Sequence, residues 1–285
     1  MRFSVFTAST PQWSPAEAAR HLAAQGWDGI EWRITDQEPA AEPGFWAGNR
    51  ATWPLRGLED HLGDIARITR GAGLAFSGLG SYVPSHDRAD VERMLAATAA
   101  LGAGRVRLTM PRLGAGRYPE LFATTRRDLE WAAERAAALG VTALVELHHG
   151  TITASASAAL RLVDGIDPAH VGVIHDLGNL VIEGHEDHVS AFEMLGPYLA
   201  HVHVKNVVWR PAGTRPDGST RWAPEWAPLR AGQADVAAYF EALAAVGYDG
   251  WVTVEDFSTA LPLAERTRDN LAYLRALAGD RRRQP

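Results

Sequence analysis

Eight apolar, β-branched segments alternate with Ala-, Leu-, Arg- and Glu-rich segments of helical spacing along the 285 residues, which predicts an α/β fold: a single-domain (β/α)8 TIM barrel over 1–280. Eight uninterrupted units favour a closed barrel over a doubly wound sheet, and two further observations accompany them. No Pro/Ser linker or break in composition divides the chain. Helical segments end repeatedly in glycine, at Gly26, Gly73, Gly102, Gly140 and Gly247, as left-handed caps in short αβ connections require.

The units read in order. RFSVFT (2–7) precedes PAEAARHLAAQG, DGIEWR (28–33) precedes LRGLEDHLGDIARITRGAG, LAFSGLG (74–80) precedes DRADVERMLAATAALG, and RVRLTM (105–110) precedes PELFATTRRDLEWAAERAAALG. TALVEL (142–147) leads into SASAALRLVDGI, VGVIHD (171–176) into EDHVSAFEML, LAHVHVK (199–205) into ADVAAYFEALAAVG, and WVTVED (251–256) into PLAERTRDNLAYLRALAG. Two connections are long and Trp-bearing: 34–55, with Trp46 and Trp53, and 206–233, with Trp209, Trp222 and Trp226. In a barrel both lie on the face that carries active sites. The tail 281–285 (RRRQP) is read as frayed.

Composition removes several function classes. The chain has no cysteine, so disulfide scaffolds, thiolate metal sites and cysteine nucleophiles are out. A net charge of −6 argues against nucleic acid as a partner. The opening MRFSVFTASTPQW is too short in apolar residues for a signal-peptide core, and no run reaches the roughly 18 apolar residues of a membrane span. The expectation is a cytoplasmic protein without a membrane partner. No Gly-x-Gly-x-x-Gly follows the first strand, and neither a P-loop nor a Gly-x-Ser-x-Gly occurs. Lys205 is the only lysine in the chain, so it is not there for solubility.

Chemistry gathers at the C-terminal ends of the last four strands, where Glu146, Asp176, His203 and Glu255 finish otherwise apolar segments. Inward strand-end positions of a barrel are desolvated, so carboxylates converging there need a compensating cation. Three carboxylates and an imidazole suit one divalent ion, Mn²⁺ foremost, with Co²⁺, Mg²⁺ or Zn²⁺ as alternatives. Taken singly, Asp176 also reads as a helix cap, and Glu146 or Glu255 as an arginine's partner. Residues two apart on a strand share a face, so His201 and Lys205 accompany His203, and His148 accompanies Glu146. His201 sits deeper and reads as a histidine that orients a ligand, while His149 faces away or enters the loop. Lys205 reads either as a stabiliser of an enolate oxygen or as a salt bridge to Glu255 or Asp176. Trp13, Trp209, Trp222 and Trp226 either stack on a substrate ring or cover the barrel end.

VELHHGTITAS, HDLGN followed by EGHED, HVHVKN, GYDGWVTVEDF and the second-strand GWDGIEWR resemble the sugar phosphate isomerase/epimerase superfamily, the xylose-isomerase-like TIM barrels, over nearly the whole chain. The resemblance implies one divalent metal held by Glu146, Asp176, His203 and Glu255. Asn179 and Ile152 stand where ketose 3-epimerases have a histidine and a second glutamate, which departs from that branch. Ser81 and Thr109 lie near the strand ends where the endonuclease branch has extra histidines. Glu146-Leu-His148 resembles the Glu-x-His of the dehydratase branch.

The leading expectation is a metal-dependent isomerase or epimerase of a sugar, keto-sugar or cyclitol. Glu146 and Glu255 would remove and return a proton beside a carbonyl, assisted on oxygen by His148 and Lys205. Glu31, Arg33, Asn179, Trp13 and Trp209 are candidate contacts for a small polyhydroxylated substrate. The alternatives are a lyase, with His148 protonating the leaving group, and an accessory subunit without catalysis. A homo-oligomer and a heteromeric partner subunit both stay open.

Overall fold

The computed structural model describes residues 1–279, so the tail 281–285 lies outside the described residues. Eight parallel strands close into the expected barrel: β1 (Arg2–Phe6), β2 (Gly29–Ile34), β4 (Ala75–Pro84), β5 (Arg105–Thr109), β6 (Thr142–Glu146), β7 (Val171–Asp176), β8 (Leu199–Val204) and β11 (Trp251–Val254). Closure is made at β1, which pairs with β11 through Phe3 opposite Val252 and with β2 through Phe6 opposite Glu31. Outside run α1 (Pro15–Gln25), α2 (Leu58–Gly71), α3 (Arg88–Leu101), α4 (Tyr118–Leu139), α5 (Ala156–Val163), α6 (Leu177–Glu183), α7 (His188–Leu195), α8 (Val236–Ala245) and α9 (Leu263–Leu277).

Local chemistry explains the helix ends. Ser14 and Glu17 form a reciprocal capping box that satisfies free amides at the start of α1, and Gly26 ends it at φ 89°. The apolar core lies between strands and helices, with Trp32, Leu22, Ile30, Ile65 and Met94 fully buried. The barrel's interior is polar instead. Ser4, Glu31, Arg107, His201, His203 and Thr253 are all buried there. Phe6 leans into this interior, with its ring 6.1 Å from that of His203. Gly80 makes room for it, because a Cβ at that position would collide with the Phe6 ring.

Three segments differ from the sequence reading. The 206–233 connection is not a loop but an antiparallel hairpin, β9 (Asn206–Thr214) and β10 (Thr220–Ala227). Its turn contains Pro216, Asp217 and Gly218, a turn signature legible in the sequence. Within the 34–55 connection a two-residue strand, β3 (Thr52–Trp53), pairs with β2. Asp176 caps α6, as one reading of that residue alone had it, although the eight-unit pattern did not include this helix; its side chain accepts from the Asn179 amide. No helix among the described residues is long and apolar enough to cross a membrane.

Candidate metal centre and active site

Strands β6, β7, β8 and β11 bring Glu146, Asp176, His203 and Glu255 together, with one ligand atom of each within 4.8 Å of the others, all buried. The imidazole is aimed by the side it does not offer. His203 Nε2 donates to Glu31 Oε2 at 3.1 Å, which leaves Nδ1 facing Glu255 at 3.2 Å, Glu146 at 3.6 Å and Asp176 at 3.9 Å. The same Glu31 oxygen lies 3.1 Å from His201 Nε2, which is also 2.8 Å from the Thr253 hydroxyl. His201 thus lies behind the site and orients His203 through Glu31.

Two cations balance the carboxylates. Lys205 Nζ lies 2.7 Å from Asp176 Oδ2 and 2.6 Å from Glu255 Oε2, and Arg107 Nη1 donates to Glu146 Oε2 at 2.9 Å. Burial alone would raise Glu146, yet Arg107, His203 and Lys205 hold it well below the usual carboxylate range. Glu255 is likewise held at about 2, as Lys205 and His203 outweigh its burial. Asp176 goes the other way: burial, with Glu255 and Glu146 close by, pushes it up to about 7 despite Lys205. His203 is raised well above its ordinary value because Glu31 and Glu255 outweigh desolvation.

The donor set fits a divalent cation. His203 Nδ1 and Asp176 Oδ2 are buried without a hydrogen-bond partner, although Lys205 stands within ion-pair distance of the latter. An imidazole and three carboxylates that share one space, with His203 Nδ1 lacking a hydrogen-bond partner, could serve as ligands for a hard or borderline ion.

Glu146, Glu255 and Lys205 also line a cavity of about 860 Å³ at the barrel mouth, with Arg107, His148 and His149. His148 Nδ1 lies 2.8 Å from the His149 carbonyl, which can only accept, so Nδ1 carries the proton and Nε2 keeps its lone pair. Burial lowers the pKa of both His148 and His149.

Several sequence expectations are corrected. Glu31 is 2% exposed, committed to His201 and His203, and does not line the cavity. Arg33 turns to Gln37, Thr52 and the Trp46 carbonyl, because the 34–55 connection folds over it. Asn179 is buried, donating to the Leu147 carbonyl and accepting from His149 Nδ1–H. His149 enters the turn after β6, as one of the two expectations had it, and points to Asn179 and the cavity. Trp13 stacks on His21 of α1, and Trp209 donates its indole N–H to the Val181 carbonyl, so neither reaches the cavity. Trp46 and Trp226 do. Arg107 escaped the sequence reading; its signal was a charge at an alternate, inward position of the apolar RVRLTM run.

Three carboxylates and an imidazole that could hold a cation meet at the C-terminal mouth of a (β/α)8 barrel, the face on which barrels of this class carry their active sites. The family model described as "Xylose isomerase-like TIM barrel" matches residues 19–277, and the chain belongs to that family. Among curated relatives, inosose dehydratase of Geobacillus thermodenitrificans is 31% identical over 125 residues, 42% of this chain and 42% of that protein. The chain thus spans less than half the length of the curated relatives it matches. Solved structures share the fold, two of which illustrate it. The 3-keto-D-glucoside 4-epimerase YcjR of E. coli superposes with a TM-score of 0.71 at 19% identity, covering 97% of this chain and 99% of that one. The IOLI protein with a zinc atom superposes at 0.75 and 17% identity, covering 98% and 99%.

Proposed function

We propose that the chain is a divalent-cation-dependent isomerase or epimerase of a keto-sugar or cyclitol, acting at a carbon next to a carbonyl. The observation that carries this reading is the buried convergence of Glu146, Asp176, His203 and Glu255, with His203 Nδ1 turned toward the three carboxylates and without a hydrogen-bond partner. These four would hold the ion, Mn²⁺ in the first instance for its affinity for carboxylate and imidazole. When bound, the ion supplies Lewis acidity that lowers the pKa of a C–H beside a carbonyl.

The chain's own groups divide the remaining work. Glu146 has one oxygen tied to Arg107 and is held as an anion, which suits a ligand better than a base. His148 is kept neutral by burial and presents the Nε2 lone pair, which makes it a proton acceptor at the cavity wall. Glu255 reaches the same cavity and shares its Oε2 with the Lys205 ammonium, which the surrounding carboxylates keep charged and which can hydrogen-bond a developing oxyanion. Trp226 and Phe257 stand over Lys205, 5.7 Å and 6.0 Å from Nζ to ring centre, and limit water above it.

The second reading is a lyase, favoured by the dehydratase relatives and by His148 two residues after Glu146. Loss of a hydroxyl needs a protonated acid, and the neutral His148 must first take the substrate's own proton to become one. The test is incubation of the Mn²⁺-loaded protein with keto-sugars and inososes in deuterated water, followed by NMR and mass spectrometry. Deuterium at the carbon beside the carbonyl, with no mass lost as water, supports the isomerase or epimerase. Loss of water supports the lyase, and no exchange on any keto-substrate under metal supplementation refutes both.

A further inference from the structure

A second cavity lies at the opposite end of the barrel from the carboxylates. It encloses about 610 Å³ where strands begin rather than end, between Arg105 of β5, Ala200 of β8 and the chain that enters β11, with the last residues of α8 beside them. Arg105 reaches it from across the sheet. From the first position of β5 its side chain extends past β6 and β7 to β8, where Nη1 donates to the Ala200 carbonyl at 2.5 Å. Ala200 itself lines the cavity, so the guanidinium end of Arg105 stands at the wall.

That guanidinium is only partly used. Its Nε–Nη2 edge, which matches a carboxylate or phosphate through two parallel hydrogen bonds, donates to nothing among the described residues. Arg107, two positions on, pairs with Glu146, whereas Arg105 has no ion-pair partner among the described residues. Burial holds Arg105 below the ordinary arginine pKa, and Arg2 close by adds to the positive field. The one carboxylate near enough to oppose this is Glu31, which His201 and His203 already occupy. An arginine withdrawn from water without an anion asks for one from a ligand.

The rest of the wall accepts hydrogen bonds. Ala245 and Val246 close α8, and among the described residues no backbone amide donates to their carbonyls. Glu193 and Asp249, both exposed, line the same cavity. A bare anion would satisfy Arg105 and be repelled by these acceptors. An anion that also carries hydroxyl groups satisfies both. Neither group of candidate metal ligands reaches this cavity, so it is a site apart from the one at the barrel mouth.

We propose that this cavity binds a small polyhydroxylated anion, a sugar acid or a sugar phosphate. The acid group sits on the Nε–Nη2 edge of Arg105, and hydroxyls donate to Asp249, Glu193 and the end of α8. No bond is made or broken there, and the site does not depend on the reaction proposed above.

The test is isothermal titration of the full chain, freed of metal by dialysis against a chelator, with gluconate, glucose 6-phosphate, acetate, inorganic phosphate and glucose. Gluconate or glucose 6-phosphate should bind at least about tenfold more tightly than acetate or inorganic phosphate, and glucose should not bind. Which of the two binds tells a carboxylate ligand from a phosphate. Arg105→Gln should weaken that binding at least about tenfold, while His148→Gln at the barrel mouth should leave it unchanged. Asp249→Ala should weaken the hydroxylated anion and spare the simple ones. Where Arg105→Gln fails to fold, Arg105→Lys carries the same test, because an ammonium cannot make the paired contact. Absence of binding by both hydroxylated anions, equal binding of glucose, or affinity that survives replacement of Arg105 overturns the inference.

Discussion

Replacing Lys205 by methionine tests what holds three carboxylates together in the barrel. The ammonium is 3% exposed and lies 2.7 Å and 2.6 Å from Asp176 and Glu255, so its removal strips both buried oxygens of their nearest cation. Breaking a buried ion pair by deleting one partner costs about 3–5 kcal/mol, most of it from the charge left behind. At roughly 2 °C per kcal/mol for a large domain, Tm should fall by about 6–10 °C in the presence of a chelator. The loss should be recoverable. A cation at about a thousand times its Kd contributes about 4 kcal/mol to the folded state, so excess Mn²⁺ should return most of the lost stability and should bind the variant more tightly than the parent. Differential scanning calorimetry with and without chelator, and isothermal titration with Mn²⁺, give both quantities. An unchanged Tm in chelator would show that Lys205 does not balance the carboxylates. A destabilised variant that Mn²⁺ fails to rescue would show that they are not a cation site.

Glu31→Gln leaves the fold standing but removes the anion that aims His203, so Mn²⁺ affinity should drop about 10–100-fold by titration; unchanged affinity would remove Glu31 from the orienting role. Burial, with His188 close by, holds His175 at about 3 against an ordinary 6.5, so the unfolded chain takes up a proton that the folded chain refuses. The stability this protects is complete above pH 6.5 and declines by about 1.4 kcal/mol per unit toward pH 4. Urea unfolding of parent and His175→Gln at pH 7.5 and 5 should show a flatter acid slope in the variant, and parallel slopes would refute the assignment. Gly178→Ala puts a Cβ into the Lys205 side chain and 2.9 Å from its carbonyl oxygen, backbone that cannot give way. It should cost about 1–3 kcal/mol in denaturant unfolding, and a neutral result would mean that the start of α6 shifts freely.

Much of the site was legible because a parallel barrel strand ends where its side chains become useful. Glu146, Asp176, His203 and Glu255 each close an apolar run, and strand order alone puts their ends at one mouth. His201 was legible too, since alternation places it one pleat below His203. Alternation does not say what an inward side chain touches. Glu31 and Asn179 both reached the centre, yet burial and nearer partners made them supports for His203 and Glu146 rather than groups open to substrate. The tryptophans show the same limit, as stacking on His21 and a bond to the Val181 carbonyl took Trp13 and Trp209 away from the cavity that Trp46 and Trp226 line.

Periodicity and strand-end chemistry are local properties, and by themselves they determined the eight-unit barrel, its closed parallel order and the four residues that meet at its mouth. Only the tertiary structure decided which cation each carboxylate faces and that Arg107 neutralises Glu146 from a neighbouring strand. These outcomes depend on distances between residues far apart in the chain, and in a desolvated interior a difference of an ångström or two settles which charged group is partner, ligand or base.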